Sequence, residues 1–281
     1  MNPVILSHFQ AETLLAARRG GLVAVEVSPD LGLSSLSVTL ELQGVRFAGE
    51  EPLPWAALEN LTSNTNNCYL LEGGSLCKIQ FYSELTGRTY SLMPTAGAPT
   101  ILVSGIPMHR IKDTDPWQDT LEKVKSIKPV VGRVLDTATG LGYTAIAAAR
   151  TAAELVTIEL DPAALQVARL NPWSQALFDN PIITQKIGDS FEVVQELPDA
   201  SFSRILHDPP VFSLAGDLYS GEFYRQLYRL LRSGGKLFHY IGDPESKSGR
   251  NVTASVMRRL EAAGFRGVTR LPRAFGVIAY K

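Results

Sequence analysis

The stretch Val134-Leu135-Asp136-Thr137-Ala138-Thr139-Gly140-Leu141-Gly142-Tyr143-Thr144 decides how this chain is read. An apolar run ends in an acid, passes through a turn of small residues and enters an alanine-rich segment. This is the pattern of a buried strand, a tight turn and a helix. Small residues let backbone approach a ligand closely, and the first turn of a helix offers N–H groups with no partner inside the helix. At the carboxyl edge of an open parallel sheet, a nucleotide-like cofactor is the expected occupant of such a turn. A glycine-rich turn taken alone is also compatible with a mere tight connection.

The flanking sequence supplies the sheet. Asp115-Pro116 opens a helix to about residue 128, with the acid as N-cap and proline in the first turn. Strands 133–136, 155–159, 182–187, 203–207 and 235–240 then alternate with helices 143–150, 162–170, 191–196, 220–231 and 251–263. Two strands near 267–271 and 274–280 close the set. Alternating strands and helices predict a Rossmann-like α/β fold, with a parallel sheet covered on both faces. Leu271-Pro272-Arg273 is too short for a parallel crossover, so the last of seven strands should run antiparallel. Before residue 112 the texture differs. After an opening helix, Ala11 to Arg18, stopped by Gly20-Gly21, period-two segments such as 23–27, 37–42 and 77–82 are separated by Asn- and Gly-rich turns. Two domains are expected: a smaller β-rich one over 1–112 that recognises or positions a substrate, and the α/β domain over 113–281.

With 281 residues, 45% hydrophobic and 20% charged, there is ample material for a core, which excludes disorder as the main theme. The formal charge of -1 excludes a uniformly basic coat protein, but the charge is uneven. Residues 1–110 hold 6 basic and 9 acidic groups, 111–224 hold 9 and 16, and 225–281 hold 12 and 3. The basic last quarter, with Arg250, Arg258, Arg259, Arg266, Arg270 and Arg273, is either a phosphate-gripping face or a solvated surface balancing the acidic segment before it. Cys68 and Cys77 alone make neither a disulfide scaffold nor a multi-cysteine zinc site, so no metal is expected. Met1 to Gln10 lacks a signal-peptide pattern, and the longest uncharged run, Thr89 to His109, is broken by three prolines. A soluble, cytoplasmic protein without a membrane segment is expected.

Acids recur at the strand ends. Glu159 lies 23 residues after Asp136, where a carboxylate can accept from ribose hydroxyls. Asp189 follows the third strand and Asp208-Pro209-Pro210 the fourth. Any one of them could be a helix cap; four at successive strand tips fit a lined cleft better. Asp136 to Gly142, Glu159-Leu160-Asp161, Gly188-Asp189, Asp208-Pro209-Pro210 and Leu231 to Leu237 together resemble the successive motifs of class I S-adenosylmethionine-dependent methyltransferases. Within them, they resemble the uncharacterised archaeal and cyanobacterial "predicted methyltransferase" branch. The resemblance covers about residues 113 to 281. Ala138 stands where the family usually has its first glycine, a change tolerable if the local φ stays negative.

This resemblance implies S-adenosyl-L-methionine as cofactor. Asp136 would lie near the methionine amino group, with Ala138, Gly140 and Gly142 beneath the cofactor. Glu159 would hold the ribose, Leu160 would pack on the adenine, and Asp189, with Ser190 adjacent, would accept from the adenine amino group. Asp208 would be the catalytic carboxylate, accepting hydrogen bonds from an amino group beside Pro209, Pro210 and Phe212. In related loops the aromatic directly follows the two prolines; here Val211 intervenes. N-methylation of an RNA or protein acceptor is the expected reaction. Aminopropyl transfer from a decarboxylated cofactor and a non-catalytic binding module remain open, whereas a dinucleotide dehydrogenase is disfavoured because its third glycine falls at Ala145. His207 and His239 read as core residues more readily than as bases, and Ser246 to Arg250 reads as a mobile loop beside the cofactor edge.

Overall fold

The computed structural model describes residues 3–210, 212, 214–243 and 246–281. The chain divides into two compact units, Met1–Pro116 with Ala163–Gln175, and Trp117–Pro162 with Ala176–Lys281. The segment Ala163–Gln175, placed by sequence within the α/β part, thus groups with the first unit.

The first unit runs β1 (Val4–Leu6), α1 (His8–Arg19), β2 (Ala24–Val27), β3 (Leu36–Leu40), β4 (Gly44–Arg46), β5 (Leu53–Pro54), α2 (Trp55–Thr62), β6 (Tyr69–Glu72), β7 (Ser75–Lys78), β8 (Gln80–Ser83), β9 (Arg88–Met93), β10 (Thr100–Val103) and β11 (Ile106–Pro107). The strands form three small antiparallel sheets, β1-β6-β7, β2-β3-β4-β5 and β8-β9-β10-β11. Ser7 and Gln10 form a reciprocal capping box at the start of α1. Leu6, Leu14, Phe47, Leu53 and Leu58 are fully buried in this unit's core. The single strand expected over 77–82 is two, because buried Ile79 turns aside and its N–H donates to the Cys68 carbonyl. Cys68 is buried, Cys77 is exposed, and both are free thiols.

The second stretch runs α3 (Pro116–Ser126), β12 (Arg133–Asp136), α4 (Tyr143–Ala149), β13 (Glu154–Glu159), α5 (Pro162–Leu170), α6 (Gln175–Asp179), β14 (Ile183–Ile187), α7 (Ser190–Glu196), β15 (Phe202–His207), α8 (Gly221–Leu230), β16 (Leu231–Tyr240), α9 (Lys247–Ala262), β17 (Arg266–Leu271) and β18 (Gly276–Tyr280). One seven-stranded sheet results, in the order β14-β13-β12-β15-β16-β18-β17. The first five strands are parallel, and β18 is antiparallel to both neighbours, as the short Leu271–Arg273 link requires. All six positions of β15 are buried, the burial expected of a central strand covered on both faces. Expected strand 235–240 begins earlier, at Leu231, which pairs with Phe202 across a bulge. Ser246 to Arg250, expected as a loop, is the cap and first turn of α9: Ser246 Oγ accepts from Gly249 N–H at 3.0 Å.

Candidate active site

The sheet order places the crevice. From β12 the chain moves outward through β13 to β14, then returns to β15 on the other side of β12. The carboxyl ends of β12 and β15 therefore flank a topological switch point, where helices on opposite faces leave a cleft. Asp136, Glu159, Gly188-Asp189 and Asp208 stand at or just beyond the ends of β12, β13, β14 and β15.

Asp136 is fully buried. Thr157 Oγ1 donates to its Oδ2 at 2.8 Å, and the Thr139 hydroxyl meets Thr157 Oγ1 at 2.6 Å. Since the Thr157 proton is committed to Asp136, Thr139 is the donor in that second bond. The other oxygen, Oδ1, is buried with no hydrogen bond of ordinary geometry among the described residues, though the Thr144 hydroxyl also faces the carboxyl. Burial, with repulsion from Asp208 and Glu159, pushes the Asp136 carboxyl up to about 8.

The turn after β12 is built for close approach. Gly140 (φ 52°) and Gly142 (φ 77°) are left-handed, whereas Ala138 keeps a negative φ, which is why alanine serves there. A Cβ on Gly140 would meet open space; one on Gly142 would lie 2.7 Å from Leu177 Cδ2. Glu159 braces the turn, with Oε2 accepting from Gly140 N–H at 2.8 Å and Oε1 from Asp161 N–H at 3.1 Å. Each oxygen keeps a second lone pair for a diol. Burial raises this carboxyl to about 7. Leu160 beside it is 42% exposed, an apolar side chain presented outward.

Asp189 is the N-cap of α7: its Oδ1 accepts from Phe191 N–H at 2.8 Å, and the residue stays exposed. Ser190 is buried and donates to the Thr137 carbonyl at 2.6 Å, tying the turn after β12 to α7. Its proton is thus held by protein.

Asp208 is joined by residues that sequence did not single out. Lys123 Nζ lies 2.7 Å from Asp208 Oδ2 and 2.9 Å from Asp119 Oδ2. Pro209 is buried, and the Pro210 carbonyl accepts from the Tyr219 hydroxyl at 3.1 Å. Phe212, half exposed, stands edge-on to Tyr219 with ring centroids 5.5 Å apart. Val211 lies outside the described residues. Asp119 and Lys123 were legible only as an ordinary i,i+4 helix pair, a pattern usually met on surfaces.

The two histidines behind this loop are structural. His207 Nε2 is 2.9 Å from the Leu218 carbonyl, so Nε2 carries the proton and Nδ1 accepts from the Thr137 hydroxyl at 2.6 Å. His239 Nε2 pairs with the Tyr224 hydroxyl at 2.9 Å. Burial lowers both, His207 to about 3. Arg259 is likewise turned inward, donating to the Tyr219 carbonyl at 2.8 Å.

The fold is the Rossmann-like one of class I S-adenosylmethionine-dependent methyltransferases, and residues 119–247 match the family model described as methyltransferase small domain. The chain belongs to one family with an archaeal protein. It is 42% identical over 226 residues to Uncharacterized protein MJ1233 of Methanocaldococcus jannaschii, covering 80% of this chain and 77% of that protein. A polyamine aminopropyltransferase of Mycobacterium tuberculosis is 33% identical over 99 residues, 33% of this chain and 19% of that one. Among solved structures, spermidine synthase in complex with the transition-state analogue AdoDATO aligns with a TM-score of 0.59 at 18% identity, over 74% and 76% of the two chains. MNMC2 from Aquifex aeolicus aligns with a TM-score of 0.52 at 18% identity, over 71% and 72%. These two share the fold. Among the described residues no helix is long and apolar enough to cross a membrane.

Proposed function

We propose that this protein transfers the methyl group of S-adenosyl-L-methionine to a nitrogen of an RNA or protein acceptor bound at the Asp208 loop. The observation that carries the cofactor assignment is the orphaned, buried Asp136 Oδ1 beside raised Glu159. Two acids held partly protonated by burial suit a cationic ligand, whose ammonium would donate to Asp136 Oδ1. Asp136 would hold the methionine amino group, Glu159 the ribose and Leu160 the adenine face. Ala138, Gly140 and Gly142 would underlie the ligand, and the exposed Asp189 oxygen would accept from the adenine amine. Ser190 holds the turn in place. When bound, the sulfonium supplies the reactive methyl group. Asp208 accepts hydrogen bonds from the acceptor amine and stabilises positive charge as it develops on nitrogen. Pro209, Pro210 and Phe212 shape the acceptor's place.

Calorimetry tests the cofactor half. Asp189→Ala should weaken binding, and Asp189→Ser, which keeps the helix cap, should weaken it as well. Unchanged affinity in the serine variant would remove Asp189 from the site. Labelled cofactor incubated with fractionated extract tests the acceptor half, with Asp208→Asn lowering transfer by about 10²-fold or more. The aminopropyl alternative is favoured by the spermidine synthase fold likeness. It predicts tighter binding of the decarboxylated cofactor; because both cofactors carry the ammonium that Asp136 would hold, their relative affinity separates the two readings. Bound cofactor without any transfer would favour a binding module.

For an RNA acceptor, Arg250, Arg258, Arg266 and Arg270 are exposed with no ion pair among the described residues. Arg259 leaves that group because its guanidinium serves Tyr219. The β-rich first unit is proposed to position the acceptor.

A further inference from the structure

Lys123 is 2% exposed on α3, between Asp208 Oδ2 at 2.7 Å and Asp119 Oδ2 at 2.9 Å. Its ammonium also lies 4.4 Å from the centre of the Tyr240 ring. A buried ammonium is tolerated only when paired and hydrogen-bonded, and Asp119, one turn back on the same helix, already supplies an anion. The shorter contact nevertheless reaches across to the strand-tip acid. It occupies one Asp208 oxygen and leaves Oδ1 with no hydrogen bond among the described residues, on a side chain 16% exposed.

We propose that Lys123 is a positioning residue acting through Asp208: it clamps the carboxylate by Oδ2, so that Oδ1 is presented to the acceptor amine. This rests on reading Asp208 as the acceptor-binding acid. The groups facing Asp208 are Lys123 and Asp119 of α3, Asp136 of β12 and Tyr219 before α8, while Tyr240 of β16 faces Lys123 and Tyr219. Burial, with Asp119, holds the Asp208 carboxyl above its ordinary value, and Lys123 is the cation that limits that rise. A protonated Asp208 would lose the charge that a developing ammonium needs.

Carboxyl-carbon NMR on aspartate-labelled protein measures this directly, with the Asp208 signal assigned by its loss in Asp208→Asn. Lys123→Met should raise the Asp208 midpoint by about one unit or more, since an opposite charge within hydrogen-bond reach commonly lowers a carboxyl by 1–3 units. Asp119→Asn keeps the clamp, removes a like charge and should lower the midpoint; it serves if the methionine variant fails to fold. Midpoints unchanged in folded variants would overturn the proposal. With the acceptor in hand, Lys123→Met should displace the acid limb of the kcat/KM profile upward with cofactor affinity unchanged, and Lys123→Arg should restore it. A lysine that only holds α3 in place would lower stability and leave that limb where it was. Absence of transfer by the unaltered protein, with the midpoints moving as stated, would instead overturn the acceptor reading.

Discussion

Gly140 and Gly142 separate folding from binding within three residues. Gly142→Ala strains a left-handed backbone and places a methyl 2.7 Å from Leu177 Cδ2, so it should cost about 1–3 kcal/mol in denaturant unfolding. Gly140→Ala meets open space and should cost about 1 kcal/mol, yet weaken cofactor binding more, because that space is where the ligand is proposed to lie. Asp136 gives a second test. With its carboxyl near 8, it is largely protonated at neutral pH, and taking up an ammonium should release that proton. Calorimetry in buffers of differing ionisation enthalpy reads the release directly; an identical heat in every buffer would count against the assignment. The four strand-tip acids and the Ala138 departure were legible in sequence because chemistry there depends on local order along the chain. Lys123 and Tyr219 were not, because their roles are set by contacts 85 and 9 residues away.

Between β15, β16 and the turn before α8 lies a buried polar knot of His207, His239, Tyr219 and Tyr224. Tyr219 fixes the Pro210 carbonyl, so Tyr219→Phe should cost about 1 kcal/mol of stability. It should also lower methyl transfer more than cofactor affinity, since the bond lies on the loop proposed to receive the acceptor; equal losses in both would argue for a general packing role. At this scale the α/β strands were readable: β12 falls at 133–136 as expected, because Gly132 before it and the small-residue turn after Asp136 leave room for a strand and not a helix. In the first unit, β4 and β5 hold three and two residues, too few for any period to show. Helix α2 follows a proline with no side-chain cap and runs into Asn-rich sequence, so neither end was announced.

For the whole molecule, opposed titrations shape stability. His207 and His239 have lowered folded pKa values, so their contribution is intact above about 6.5 and is lost as pH falls toward 3. Asp136 and Glu159 have raised values, so they cost stability as pH rises from about 4 toward 8. These four groups therefore predict a ligand-free plateau between about pH 4 and 6.5, falling on both sides. Cofactor should flatten the alkaline fall, as thermal unfolding across pH can check. If the acceptor is RNA, engaging the four exposed arginines should give a slope near -3 for log affinity against log salt on a single strand, with Arg266→Ala and Arg270→Ala each reducing it. Salt-independent binding would point to a protein acceptor. None of this balance could be read from a net charge of -1, which averages the acidic middle of the chain with its basic last quarter.

The return of Ala163–Gln175 to the first unit has a hereditary side. Because the chain enters that unit twice, a single recombination point in the gene cannot exchange one unit and leave the other whole. A crossover near codon 116 would join a new partner to a second unit while keeping the old partner's 13 inner residues, Trp173 among them, whose indole N–H bonds the Leu31 carbonyl.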